Sequence, residues 1–131
     1  MFKLIKILNS CSNVPEPLIL PTDGTAIPAG TLLSMSVGYA SGCQTDGKPQ
    51  YVSLSKSCGY SISAYPITHD MVFETEFWGD PNEVYEGDLI GIGADYDGFA
   101  TGVNEAGTVF YFMNRNGATK YGDKVIVRPV V

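Results

Sequence analysis

Short apolar stretches broken by glycine, proline and asparagine run along this 131-residue chain, and none keeps a helical period. Gln50 to Ser55 and Tyr60 to Ile67 alternate polar and apolar side chains, the period-two pattern of a half-buried strand. Met71 to Phe77 does the same, setting Met71, Phe73 and Thr75 against Val72, Glu74 and Glu76. Leu18 to Leu20, Leu32 to Val37, Leu89 to Gly93, Phe99 to Val103, Thr108 to Met113 and Val125 to Val131 read as further strands. Phe2 to Leu8 reads as a short apolar strand or arm. No window holds apolar residues at i, i+3, i+4 and i+7, so a helical turn near Asn82–Tyr85 is the most helix expected. The pattern predicts an all-β chain, a small single-domain β-barrel or sandwich of short antiparallel strands over residues 21–131. Residues 1–20 read as an extended N-terminal arm.

One small device recurs three times: a glycine, a polar residue, then a strand. It appears in Ala29-Gly30-Thr31-Leu32-Leu33, Glu86-Gly87-Asp88-Leu89-Ile90 and Tyr121-Gly122-Asp123-Lys124-Val125-Ile126. Glycine supplies the positive φ of a tight turn, and Thr or Asp can bond the turning backbone. Asn114-Arg115-Asn116-Gly117 is the strongest hairpin or turn signal. Gly79-Asp80-Pro81-Asn82 marks another turn, and Gly38 to Gln50 reads as a loop with a hairpin tip at Asp46-Gly47. The segments Gly30–Gly38 and Gly87–Asp95 resemble each other, TLLSMSV against DLIGIGA. Internal duplication and convergent turn-strand grammar both account for that.

Composition narrows the functions open to the chain. Net charge is −6 with eight basic residues that form no cluster, so the electrostatic footprint of a nucleic-acid binder is missing. An acidic surface also disfavours anionic membranes, and no apolar run reaches the length of a membrane helix. Three cysteines, Cys11, Cys43 and Cys58, make a poor disulfide framework and point to buried free thiols in a reducing cytoplasm. A Cys43–Cys58 bridge across a hairpin stays open as the alternative. The start, MFKLIKILNSCSNV, fails as a secretion signal because Lys6 interrupts its apolar stretch.

Candidate chemistry is thin. The single histidine, His69, lies in the turn-like Thr68-His69-Asp70, and no nucleophile elbow surrounds any serine. Glu74 and Glu76 share a strand face about 6.5–7 Å apart, a spacing glycosidases use, yet they also fit the solvent side of a strand. Asp95-Tyr96-Asp97-Gly98, with Glu105 beyond, lacks the ligand spacing of a calcium loop. The reading is therefore no catalytic residues, no metal and no cofactor, with a hydrolase using Glu74 or His69 as the outlying alternative.

Contact-forming residues are the better signal. Phe77, Trp78 and Tyr85 flank the Gly79–Glu83 turn, and Trp and Tyr are favoured anchors at protein interfaces. The N-terminal segment offers Phe2, Leu4, Ile5 and Ile7, and a short alternating segment of that kind can pair with an edge strand. A carbohydrate-binding or adhesion module using exposed Trp78 and Tyr85 is the second reading.

The extended start through Pro15-Glu16-Pro17, the run Ile27-Pro28-Ala29-Gly30-Thr31-Leu32, Tyr65-Pro66-Ile67-Thr68 and the closing Gly122-Asp123-Lys124-Val125 together look like a known class. In these parts the chain resembles the head decoration, or cement, proteins of tailed bacteriophages, small acidic all-β proteins of this size. The resemblance implies a non-catalytic structural protein, made in the host cytoplasm and placed on the virion surface. It implies binding to the major capsid protein or other shell subunits. It also implies homo-oligomers, trimers among them, with residues 1–20 as the arm.

Overall fold

The computed structural model describes residues 1–8 and 16–130. The chain is all-β, a closed five-strand barrel with a second five-strand sheet packed on it. The strands are β1 (Lys3–Ile7), β2 (Leu18–Pro21), β3 (Leu32–Ser36), β4 (Tyr39–Gly42), β5 (Tyr51–Ser53) and β6 (Ser61–Pro66). They continue as β7 (Met71–Phe77), β8 (Leu89–Gly93), β9 (Gly102–Asn104), β10 (Phe110–Asn114) and β11 (Lys124–Pro129). A 3-10 turn at Pro81–Glu83 overlaps the expected helical turn, with the Asp80 carboxylate accepting from the N–H of Asn82 at 2.9 Å.

The two sheets repeat one topology. The first unit runs β2-β6-β5-β3-β4 in space, and the second runs β7-β11-β10-β8-β9, the same order shifted by five strands. Register agrees as well. Leu18 and Leu20 face Ala64 and Ile62 as Phe73 and Thr75 face Val127 and Val125. Pro66 faces Tyr51 as Pro129 faces Phe110, Leu33 faces Tyr51 as Ile90 faces Phe110, and Met35 faces Ala40 as Ile92 faces Val103. Connecting hydrogen bonds follow suit. Gly30 N–H donates to Ser53 O as Gly87 N–H does to Phe112 O, and Ile67 N–H to Gln50 O as Val130 N–H to Val109 O. Matching turns alone do not generate matching register across four strand pairs, so the geometry favours duplication over convergent grammar.

The repeated turn device sits at equivalent places. Gly30 and Gly87 both precede the second strand of their unit with φ of 70° and 92°. These values suit glycine and strain an L side chain. The residue after each glycine bonds back across the turn: Thr31 Oγ1 donates to Pro28 O at 2.8 Å, and Asp88 accepts from Tyr85 N–H at 2.9 Å. Asp123 closes the third turn by accepting from Thr119 and Lys120, and the Thr119 N–H holds its carboxyl below the ordinary Asp range. Asn116 and Gly117, at φ 52° and 79°, form the predicted tight turn.

Differences from the sequence reading have local causes. The Gly38–Gln50 loop contains β4, whose small residues Ala40, Ser41 and Gly42 hide the alternation. β4 folds back on β3 through Val37 and Gly38, both at positive φ as a primed hairpin turn requires. β9 starts at Gly102, later than Phe99. Residues 1–20 are no free arm in their described parts. β1 pairs with β7 and β2 pairs with β6; Leu20 is buried in the first unit and Leu4 packs partly buried against the main core.

Packing joins the units. Leu20, Ile27, Leu33, Ala40, Ile62 and Ala64 fill the first, while Phe73, Phe77, Ile90, Phe110, Phe112 and Val127 belong to the main core. Leu32, Cys43 and Val52, from the opposite face of the first sheet, enter that main core. Phe2 stacks on Phe110 at 5.3 Å and edge-on against Phe73 at 5.9 Å, while its N–H donates to Gly30. Phe2→Ala is expected to cost about 3–5 kcal/mol, read as a lowered denaturant midpoint with unchanged slope. Val37 is 94% exposed at φ 53°, a strained conformation for a β-branched residue with no packing in return. Val37→Asn should add about 1 kcal/mol, raising the thermal midpoint.

Candidate functional site

The residues singled out for chemistry are engaged in the scaffold. Glu74 and Glu76 do share the outer face of β7, half-buried. Glu74 lies 3.9 Å from Lys124 Nζ and accepts from Asn116 Nδ2 at 3.3 Å, and Glu76 pairs with the amino group of Met1. His69 is exposed, and its carbonyl accepts from Arg128 Nη2 at 2.9 Å. Asp95 turns inward on its own loop, accepting from the N–H groups of Asp97 and Phe99 at 2.9 Å and from the Thr101 hydroxyl at 3.3 Å. Among the described residues no three His, Cys, Asp or Glu side chains converge to hold a metal ion.

The contact candidates divide by burial. Phe2 and Phe77 are core residues, so neither offers its ring to a partner. Phe77, expected among the exposed contact residues, instead ends the inward-facing set of β7 with Phe73 and Thr75. Trp78 is half-buried: its N–H donates to Val103 O at 2.8 Å, and its ring lies across Gly93 and Gly102. A Cβ on either glycine would meet that ring within 3.0 Å, so the strand glycines of Gly91-Ile92-Gly93 serve close packing. Trp78 is thus a barrel cap rather than an open stacking platform, and Tyr85 remains exposed on its turn.

Leu4, Ile5 and Ile7 do come together, along an open groove of about 530 Å³ beside β1. Gly30, Ser53, Leu54 and Tyr65 of the first unit line its other side. β1 has one strand neighbour, β7, among the described residues, so its other edge faces this groove. Its register slips between Leu4 and Lys6, a bulge that sets the exposed Ile5 and Lys6 side by side. Lys3, Lys6 and Lys124 also line the groove, three of the eight basic residues of an acidic chain. Sequence reasoning missed Leu54 and Tyr65. Alternation placed Leu54 on the Val52 face, but the strand ends at Ser53 and releases Leu54 to the surface. Two further apolar side chains are fully exposed, Val37 and Tyr96, at the tips of the equivalent β3–β4 and β8–β9 hairpins.

Cys43 is buried and burial pushes its thiol up, whereas Cys58 is exposed in the β5–β6 turn; both are free, so the hairpin bridge does not form. Cys11 lies outside the described residues. No described helix is long and apolar enough to cross a membrane.

Trp78 is the chain's one tryptophan and reports on the barrel cap directly. Gly102→Ala drives a methyl to 2.8 Å from Glu76 O and 2.9 Å from the Trp78 ring. The expected outcome is a lower thermal midpoint with a red-shifted tryptophan emission; unchanged emission would count against the packing role given to Trp78. Comparison with protein-family models and with curated proteins gives no match for this chain.

Proposed function

We propose that this protein is a non-catalytic structural protein that binds and stabilises a larger protein assembly, with the outside of a phage capsid as the leading case. The observation that carries the reading is the β1 groove, where an open strand edge, exposed apolar side chains and three lysines converge. An edge strand offers a partner main-chain hydrogen bonds, and flanking pockets select side chains. Shell binding asks no more than this. A standard interface of about 800 Å² a side, repeated over a lattice, gains from many modest contacts acting together. The partners on this reading are the major capsid protein or other shell subunits, with homo-oligomers of this chain, and the location is the virion surface.

The test is immunogold labelling, with antibody to this chain, of particles purified from cultures that produce it. Labelled shells, with label lost for Ile5→Asp and retained for Glu74→Gln, are the expected result. Particles free of the protein, or label indifferent to Ile5→Asp, would overturn the reading.

A further inference from the structure

The internal repeat exposes a surface in one unit that is covered in the other. In the first unit Leu32 and Val52 pair across β3 and β5 on the outward face of the sheet, at 0% and 3% exposure. Tyr65 and Ile67 extend that row and pack on the main core. The second unit covers it: Leu32 N–H donates to Ala100 O at 2.9 Å, and Met71, Phe73 and Phe110 share its core cluster. By register, the same row in the second unit is Leu89, Tyr111, Arg128 and Val130. Leu89 is 44% exposed, and Tyr111 and Val130 are each 37% exposed. A hollow of about 360 Å³ adjoins it, lined by Val109, Val130 and Pro49.

The covering end has an uncovered counterpart too. Met71 and Phe73 begin β7; the register of β2 puts Leu18 in the place of Phe73, and Glu16, two residues before β2, stands at the same offset from Met71. In the second unit Phe2 fills this end against Phe73 and Phe110. The equivalents in the first unit, Leu18 and Tyr51, have no such ring between them among the ring contacts described, and Leu18 is 42% exposed. Where the two ends differ they differ in a complementary sense. The exposed row has Arg128 where the covered row has Tyr65, and the exposed end has Glu16 where the covering end has Met71. Arg128 Nε is buried with no hydrogen-bond partner among the described residues, while its Nη2 donates to the His69 carbonyl at 2.9 Å, which holds the guanidinium at the edge of this row.

We propose that the outward face of the second unit, at Leu89, Tyr111 and Arg128, docks a second copy of this chain through the Glu16–Leu18 end of its first unit. The contact repeats between chains the one already made within the chain. It joins two different surfaces, so it is heterologous and propagates into a ring or a filament. The inference rests on the internal repeat and stands apart from the assembly reading, whose particle labelling can fail while self-association persists, and the reverse.

Sedimentation velocity across a concentration series tests it. Wild-type chain should assemble beyond a monomer, and Leu89→Lys and Leu18→Lys should each weaken assembly at least tenfold. Each of these chains keeps the surface the other has lost, so their mixture should give a one-to-one dimer and nothing larger. Both sites are surface-exposed, and Tyr111→Lys replaces Leu89→Lys should the latter lower the thermal midpoint. Arg128→Glu combined with Glu16→Arg should restore the assembly that either change alone removes. A wild-type chain monomeric throughout, assembly indifferent to Leu89→Lys, or a mixture that stays monomeric would each overturn the proposal.

Discussion

Phe2 packs its ring between Phe73 and Phe110 of the second unit while its N–H is held by Gly30 of the first. Most of the architecture follows from that contact. A five-strand barrel of about fifty residues lies near the lower limit for a self-sufficient core. Two five-strand units reach stability by sharing one: Leu32, Cys43 and Val52, from the outward face of the first sheet, enter the main core with the second unit's residues. Phe2 fills the seam, which is why the N-terminal segment is a sheet strand and why β1 aligns along β7. The groove beside β1 is the part of this seam that Phe2 does not fill.

How much of this the sequence revealed depends on which signal each element carried. Strands with period-two alternation, such as Met71 to Phe77 and Tyr60 to Ile67, were legible because one face is buried and the other wet. β4 was not, because Ala40, Ser41 and Gly42 are too small to show two faces. The repeat was visible only at TLLSMSV and DLIGIGA. Elsewhere equivalent positions hold different residues of similar burial, Ile62 with Val125 and Leu33 with Ile90, or swap chemistry outright, Tyr65 with Arg128. Core packing tolerates the first kind of exchange as long as volume and pattern persist. Register, the property that survives, is not written in any single residue.

The contact residues were half legible for a related reason. Aromatic character marked Phe77, Trp78 and Tyr85 equally, but exposure is a property of neighbours. Gly93 and Gly102 make room for the Trp78 ring, and nothing in a list of aromatics predicts that two strand glycines will lie beneath one of them. Ile5, Leu54 and Tyr65 come from three separate stretches of chain and meet because the seam brings β1 over the first sheet. Such a surface can be read from a strand pairing and not from a spacing.

The two units differ in closure, and one residue accounts for it. β7 closes the second barrel through Glu76 and Phe77, which pair with Gly102 and Val103 of β9. The register of β2 puts Pro21 where β7 has Glu76. Proline has no N–H to give to either neighbour, so β2 and β4 approach one another without forming the ladder that β7 and β9 form. Among the described residues the first unit therefore keeps free strand edges, and Leu18 at its end is 42% exposed. A closed barrel has no edges left to offer, while an open sheet of the same topology retains both an edge and an end. The same topology with proline at one closing position thus leaves one unit closed and the other open.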